Sequence, residues 1–157
     1  MADTTDTPTK HATIRQLPRN VWAVGLTSFF MDISSEMVLN ILPLFLSNVL
    51  GVRTNIIGLI EGIAEATASI LKLFSGWLSD KMGGRKWLAV LGYGLSALSK
   101  PFFYIADSWG LIAGVRWADR VGKGIRAAPR DALVADSVTR DTRGLAFGFH
   151  RTMDTAG

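Results

Sequence analysis

The sequence predicts an all-α membrane protein, a bundle of bilayer-spanning helices whose amino terminus lies on the cytoplasmic side. Three observations carry this expectation. Hydrophobic residues make up 48% of the 157 and charged residues 19%, and the apolar ones are clumped into long runs; roughly 20 helical residues suffice to cross about 30 Å of hydrocarbon. Basic residues concentrate in alternate connections between those runs, as Lys and Arg do in cytoplasmic loops. The charges that fall inside the runs recur at helical spacing, which confines them to one face of each helix.

Residues 1–18, MADTTDTPTKHATIRQLP, are polar, rich in Thr and without an apolar signal-peptide core, so they predict a disordered cytoplasmic tail. The first span covers about 20–48 and is apolar except for Asp32, Glu36 and Asn40, with Pro43 expected to kink its far half. GVRTN turns the chain into a second span, about 55–79, where Gly58 and Gly62 form a small-xxx-small ridge suited to close helix packing. WLAVLGYGLSALSKPFFYIA, 87–106, is the third, with Lys100 before Pro101, which is expected to kink it, and Trp and Tyr near its ends as interfacial residues. After DSWG, a fourth span over about 109–134 is apolar only as far as Val115, and a fifth helix begins at about 143. Small-residue pairs at Gly110/Gly114 and Gly144/Gly148 also read as packing devices.

Orientation follows from the cations. Lys10, Arg15 and Arg19 precede the first span, Lys81, Arg85 and Lys86 follow the second, and Arg140 and Arg143 follow the fourth, whereas the opposite side shows Arg53. An even number of crossings must separate the three basic regions. The stretch RWADRVGKGIRAAPRDAL, with five cations and two carboxylates, must therefore belong to a crossing even though hydropathy alone would reject it.

Spacing resolves the conflict. At about 100° per residue, Glu61, Glu65 and Lys72 lie within about 40° of one another on the second helix, and Asp32, Glu36 and Asn40 share a stripe on the first. Arg116, Asp119, Arg120, Lys123 and Arg130 gather within about 100° of arc on the fourth, with Arg126 at its edge. A charged stripe facing lipid is costly, so these faces are expected to meet one another. One outcome is a set of structural ion pairs. The other is a polar cavity for a small solute, with the cation surplus of the fourth span favouring anions or carboxylate-bearing molecules and with Asp32 or Glu36 carrying protons.

Other functions find less support. No aromatic-interleaved basic face suggests nucleic acid, and the absence of Cys removes disulfide and thiolate-metal chemistry. The GKG at Gly122–Gly124 lacks the spacing of a phosphate loop. His150, Met153 and Asp154 share a helical face, but without a fourth partner they read as pore lining or packing rather than a metal site. With no nucleophile–base pair and no cofactor motif, the chain reads as neither an enzyme nor a cofactor protein.

The loop GWLSDKMGGRK resembles the G-x-L-x-D-[RK]-x-G-x-[RK]-[RK] signature between the second and third helices of the major facilitator superfamily, through Gly76, Leu78, Asp80, Lys81, Gly83, Arg85 and Lys86. RVGKGIRAA, 120–128, is similar to the family's fourth-helix pattern R-x-x-Q-G-x-G-A-A, with Lys123 in place of Gln and Arg126 in place of Gly. The resemblance runs from Asn20 to the end and implies the amino-terminal part of a twelve-helix bundle in the cytoplasmic (inner) membrane. It further implies a secondary transporter with its solute site between two six-helix halves. On this analogy Gly76, Asp80, Lys81, Gly83, Arg85 and Lys86 form a conformational gating loop, and the partners are a solute, protons, the lipid bilayer and carboxy-terminal helices beyond Gly157. A membrane sensor or assembly partner on the same scaffold is the alternative.

Overall fold

The computed structural model describes residues 14–156. Five α-helices follow one another: α1 (Arg19–Asn48), α2 (Thr54–Met82), α3 (Arg85–Ser99), α4 (Trp109–Asp136) and α5 (Arg140–Ala156), with 3₁₀ turns at Ile14–Gln16 and Lys100–Phe103. Two sequence expectations change at the boundaries. Most of the expected tail lies outside the described residues, but its end is folded: Leu17 is buried in a cluster with Val21, Val134, Ala146 and Phe149. The third span does not continue as one α-helix to residue 106, because Pro101 has no N–H to donate and the chain tightens into the 3₁₀ turn. α1, in contrast, runs unbroken through Pro43.

Local chemistry sets the turns. Gly83 ends α2 at φ 61°, a left-handed conformation that glycine adopts without a side-chain penalty, and its N–H bonds the Ser79 carbonyl. Ser108 caps α4 by accepting a hydrogen bond from the Leu111 N–H at 3.3 Å.

The bundle has two apolar ends. One joins Leu42 and Leu46 of α1, Val52 of the α1–α2 connection and Ile57 of α2 to Ala106 and Ile112 before and within α4. The other joins the start of α1 to the end of α4 and the start of α5. Among the described residues, Arg15 and Arg19, Lys81, Arg85 and Lys86, and Arg140 and Arg143 therefore share the second end, and Arg53 lies at the first. α4 is the central pillar: α2 runs parallel to it and α3 antiparallel, while α1 packs mainly on α5 and barely touches α2.

Close backbone approach holds α4 between its neighbours. A Cβ on Gly92 would sit 2.6 Å from Arg126 Cβ and 2.7 Å from the Gly122 carbonyl oxygen, and one on Gly122 would sit 2.7 Å from the Gly92 carbonyl oxygen. On the other flank, Gly124 meets the Ala68 carbonyl at a corresponding 2.7 Å. The ridges expected from Gly58/Gly62, Gly110/Gly114 and Gly144/Gly148 do not pack: a Cβ at any of these glycines meets nothing within 4 Å among the described residues. Small-residue spacing marks faces that another helix can approach, and neighbouring side chains decide which of them one does approach.

Outside, the bundle is apolar. Leu73, Phe74, Trp77, Leu91 and Leu98 are all exposed, an extent that suits a lipid-contacting surface better than an aqueous one. Among the described residues one helix, α1, is long and apolar enough by itself to cross a membrane; α2 and α4 have comparable length but carry internal charges. We predict that Gly92→Ala costs about 1–3 kcal/mol through overpacking, whereas Gly58→Ala, on an open helix surface, leaves stability unchanged or raises it by about 0.5–1 kcal/mol. Thermal unfolding of the two variants in detergent measures the contrast.

Candidate functional site

The charged face of α4 spans the middle of the bundle, between the apolar ends. From Arg116 to Arg130 it rises about 21 Å at 1.5 Å per residue. Because α2 runs parallel to α4, side chains four residues apart on one meet side chains four apart on the other. Arg116 donates two hydrogen bonds to the Glu61 carboxylate, both 2.8 Å, and Arg120 pairs with Glu65 at 3.3 Å. Asp119 lies 3.6 Å from Arg116, and its backbone carbonyl accepts from Ser96 of α3.

Farther along, α1 supplies the counter-charge. Arg126 donates to Asp32 at 3.2 Å and Lys123 lies 3.9 Å from the same oxygen. Arg126, at the edge of the stripe by sequence, is only 1% exposed, as is Arg116. Its guanidinium carbon lies 4.5 Å from the centre of the Tyr93 ring, a cation–π arrangement that compensates for two nitrogens lacking hydrogen-bond acceptors among the described residues. Arg130 closes the ladder on α5, reaching Asp154 at 3.0 Å and its neighbour Asp131 at 3.3 Å.

A cavity of about 330 Å³ opens beside this ladder, between α1 and α2 and against α4. Its cationic lining is Lys72, Lys123, Arg126 and Arg130; its carboxylates are Asp32, Glu36, Glu65 and Asp154. The cation surplus read from α4 alone is thus matched by acids from three other helices. Not every sequence candidate reaches the cavity. Glu61, Arg116, Asp119 and Arg120 belong to the ladder but not to the lining, and Asn40 is exposed, its amide bonded back to the Glu36 carbonyl at 3.0 Å.

Arg130 and Asp154 complete the charged lining: spacing had put Arg130 on the α4 stripe and read Asp154 as pore lining or packing, but nothing local showed that the two pair with each other. His150, buried, lies 3.5 Å from the Ser28 hydroxyl and 3.9 Å from Asp154. Among the described residues no cluster of three or more His, Cys, Asp or Glu is arranged to hold a metal ion.

The α2–α3 loop is a separate cluster. Arg85 bridges Asp80, at 3.3 Å, and Asp136 at the end of α4. The hydrogen bond from Arg85 to Asp136 is the largest influence on this guanidinium and holds it more firmly protonated than an ordinary arginine. Lys81 lies over the Trp77 ring at 5.0 Å, Lys86 is exposed, and Gly76 sits where a Cβ would approach Ala128 to 3.3 Å. Asp136, 51 residues from Arg85, was not legible as its partner.

An apolar exterior around a charged interior defines a helical membrane bundle. Residues 24–157 match the model of the Major Facilitator Superfamily, and the chain belongs to that family. It is 42% identical over 143 residues to an uncharacterized MFS-type transporter of Methanocaldococcus jannaschii, covering 91% of this chain and 35% of the relative. An uncharacterized protein of Mycobacterium tuberculosis is 30% identical over 140 residues, covering 88% and 34%. The inner membrane transport protein YajR of Escherichia coli is 30% identical over 132 residues, covering 83% and 28%. The chain thus spans about a third of the length of these curated relatives. No solved structure matches it significantly.

We predict that Arg116→Leu destabilises the protein by about 3–5 kcal/mol, because Glu61 and Asp119 lose their shared cation. Adding Glu61→Gln to that variant recovers part of the loss. Thermal unfolding of both single variants and the double variant measures the coupling; a loss in the double variant equal to the sum of the two single losses would show that the pair is not a unit.

Proposed function

We propose that the chain is the amino-terminal part of a secondary active transporter that moves a small solute across the cytoplasmic membrane by alternating access, coupled to protons. The observation that carries this reading is the charge-lined cavity between α1 and α2 in a member of the Major Facilitator Superfamily. Two of the relatives are named as transporters. On this reading the helices continue into a twelve-helix bundle, the basic end faces the cytoplasm, and carboxy-terminal helices close the open side of the cavity. The Asp80–Arg85–Asp136 bridge is then a latch that couples the α2–α3 loop to the end of α4 in one conformation.

The two proton-carrier candidates differ in their surroundings. Asp32 is already shared by Arg126 and Lys123, whereas Glu36 is exposed in the cavity and has no ion-pair partner among the described residues. Glu36 is the carboxylate free to exchange a proton without breaking the ladder. Flux through the full-length gene product in proteoliposomes, under an imposed pH gradient, tests the reading. Glu36→Gln abolishes pH-driven accumulation and leaves counterflow of solute supplied at saturating concentration; retained accumulation in this variant would remove Glu36 from coupling. Wild-type protein that is folded yet moves no solute would count against transport and favour the sensor alternative.

A further inference from the structure

The ladder uses most of the charges at the cavity, and what it leaves over has a pattern. Arg126 and Lys123 are engaged with Asp32, Arg130 with Asp154, and Glu65 with Arg120. Glu36 on α1 and Lys72 on α2 remain: both line the cavity, both are exposed, and neither enters an ion pair or a side-chain hydrogen bond among the described residues. α1 and α2 barely touch, so the two groups stand on separate walls with space between them rather than on one packed surface.

A free carboxylate and a free ammonium on facing walls suit a ligand carrying the opposite charges in the opposite order. We propose that the cavity binds a zwitterion, with the solute carboxylate at Lys72 and its ammonium at Glu36. This rests on the reading of the cavity as the solute site. A simple anion would meet Lys72 but leave Glu36 close by and unmatched, and a simple cation would do the reverse. A zwitterion satisfies both without disturbing the pairs on α4. A cavity of about 330 Å³ suits a small metabolite.

The test is binding to the full-length gene product in detergent, followed by tryptophan fluorescence or calorimetry. The probes are 4-aminobutyrate and 6-aminohexanoate, each against its matched carboxylate (butyrate, hexanoate) and matched amine (butylamine, hexylamine). At least one zwitterion binds tighter than both of its analogues by about tenfold, the discrimination expected of one charged hydrogen bond. Lys72→Gln removes that zwitterion's advantage over the amine, and Glu36→Gln removes its advantage over the carboxylate. Both positions are exposed, so the variants are expected to fold, and unchanged thermal unfolding checks this.

The proposal is overturned if the single-charge analogues bind as tightly, if no zwitterion binds, or if each variant weakens all probes equally. Zwitterion preference without flux would overturn the transport reading and leave this inference standing. Flux of other solutes without that preference would overturn the inference alone.

Discussion

The structure depends on one constraint: the charges of α4 must meet counter-charges inside the bundle. A cation at the centre of a bilayer costs about 2.5–3.5 kcal/mol even on the most lenient insertion scales. The five between Arg116 and Arg130 would therefore cost on the order of 10 kcal/mol if all faced lipid, which is as large as the whole stability of a typical domain. Pairing removes that cost only where the partners are in register. Parallel packing of α2 on α4 supplies the register for Glu61 and Glu65, and α1 and α5 supply Asp32 and Asp154. The close contacts at Gly92, Gly122 and Gly124 let α2 and α3 approach near enough for short side chains to join the same network.

The same constraint explains why the cavity lies where it does. α4 is held on two flanks by backbone contact, but α1 reaches it through long side chains and leaves room toward α2. A wet gap is therefore compatible with a rigid pillar. At the basic end, Arg85 ties the α2–α3 turn to the last residue of α4, so movement of α4 relative to that loop must disturb a charged bridge. The proposed alternating access would thus find an anchored side and a loosely packed side in this bundle.

Much of this was legible because charge has a period. Helical spacing alone gathered Glu61, Glu65 and Lys72 on one face and the α4 cations on another, and loop charge required the stretch that hydropathy rejects to run from one end of the bundle to the other, as α4 does. The limits are equally physical. Spacing fixes the face of a residue but not its depth, so Arg126 was placed at the edge when it lies in the core, and Asn40 was grouped with a cavity it does not reach. Glycine pairs show where helices can approach, but the contact that forms uses Gly92 with Gly122 instead of Gly58 with Gly62. Partners distant in sequence, such as Asp136 for Arg85 and Asp154 for Arg130, leave no local signal. Charge counted on α4 alone also suggested an anion site that the acids of the other helices balance.

Solvent accessibility in the membrane tests most directly whether the charged face is turned inward to a wet cavity. Single cysteines at Ser69 and Ala127, which line the cavity, and at Phe74 and Leu91, on the apolar exterior, can be placed in the full-length gene product and treated with a water-soluble thiol reagent in intact membranes. The account predicts rapid labelling at Ser69 and Ala127 and protection at Phe74 and Leu91. Protection at the first pair with labelling at the second would contradict it.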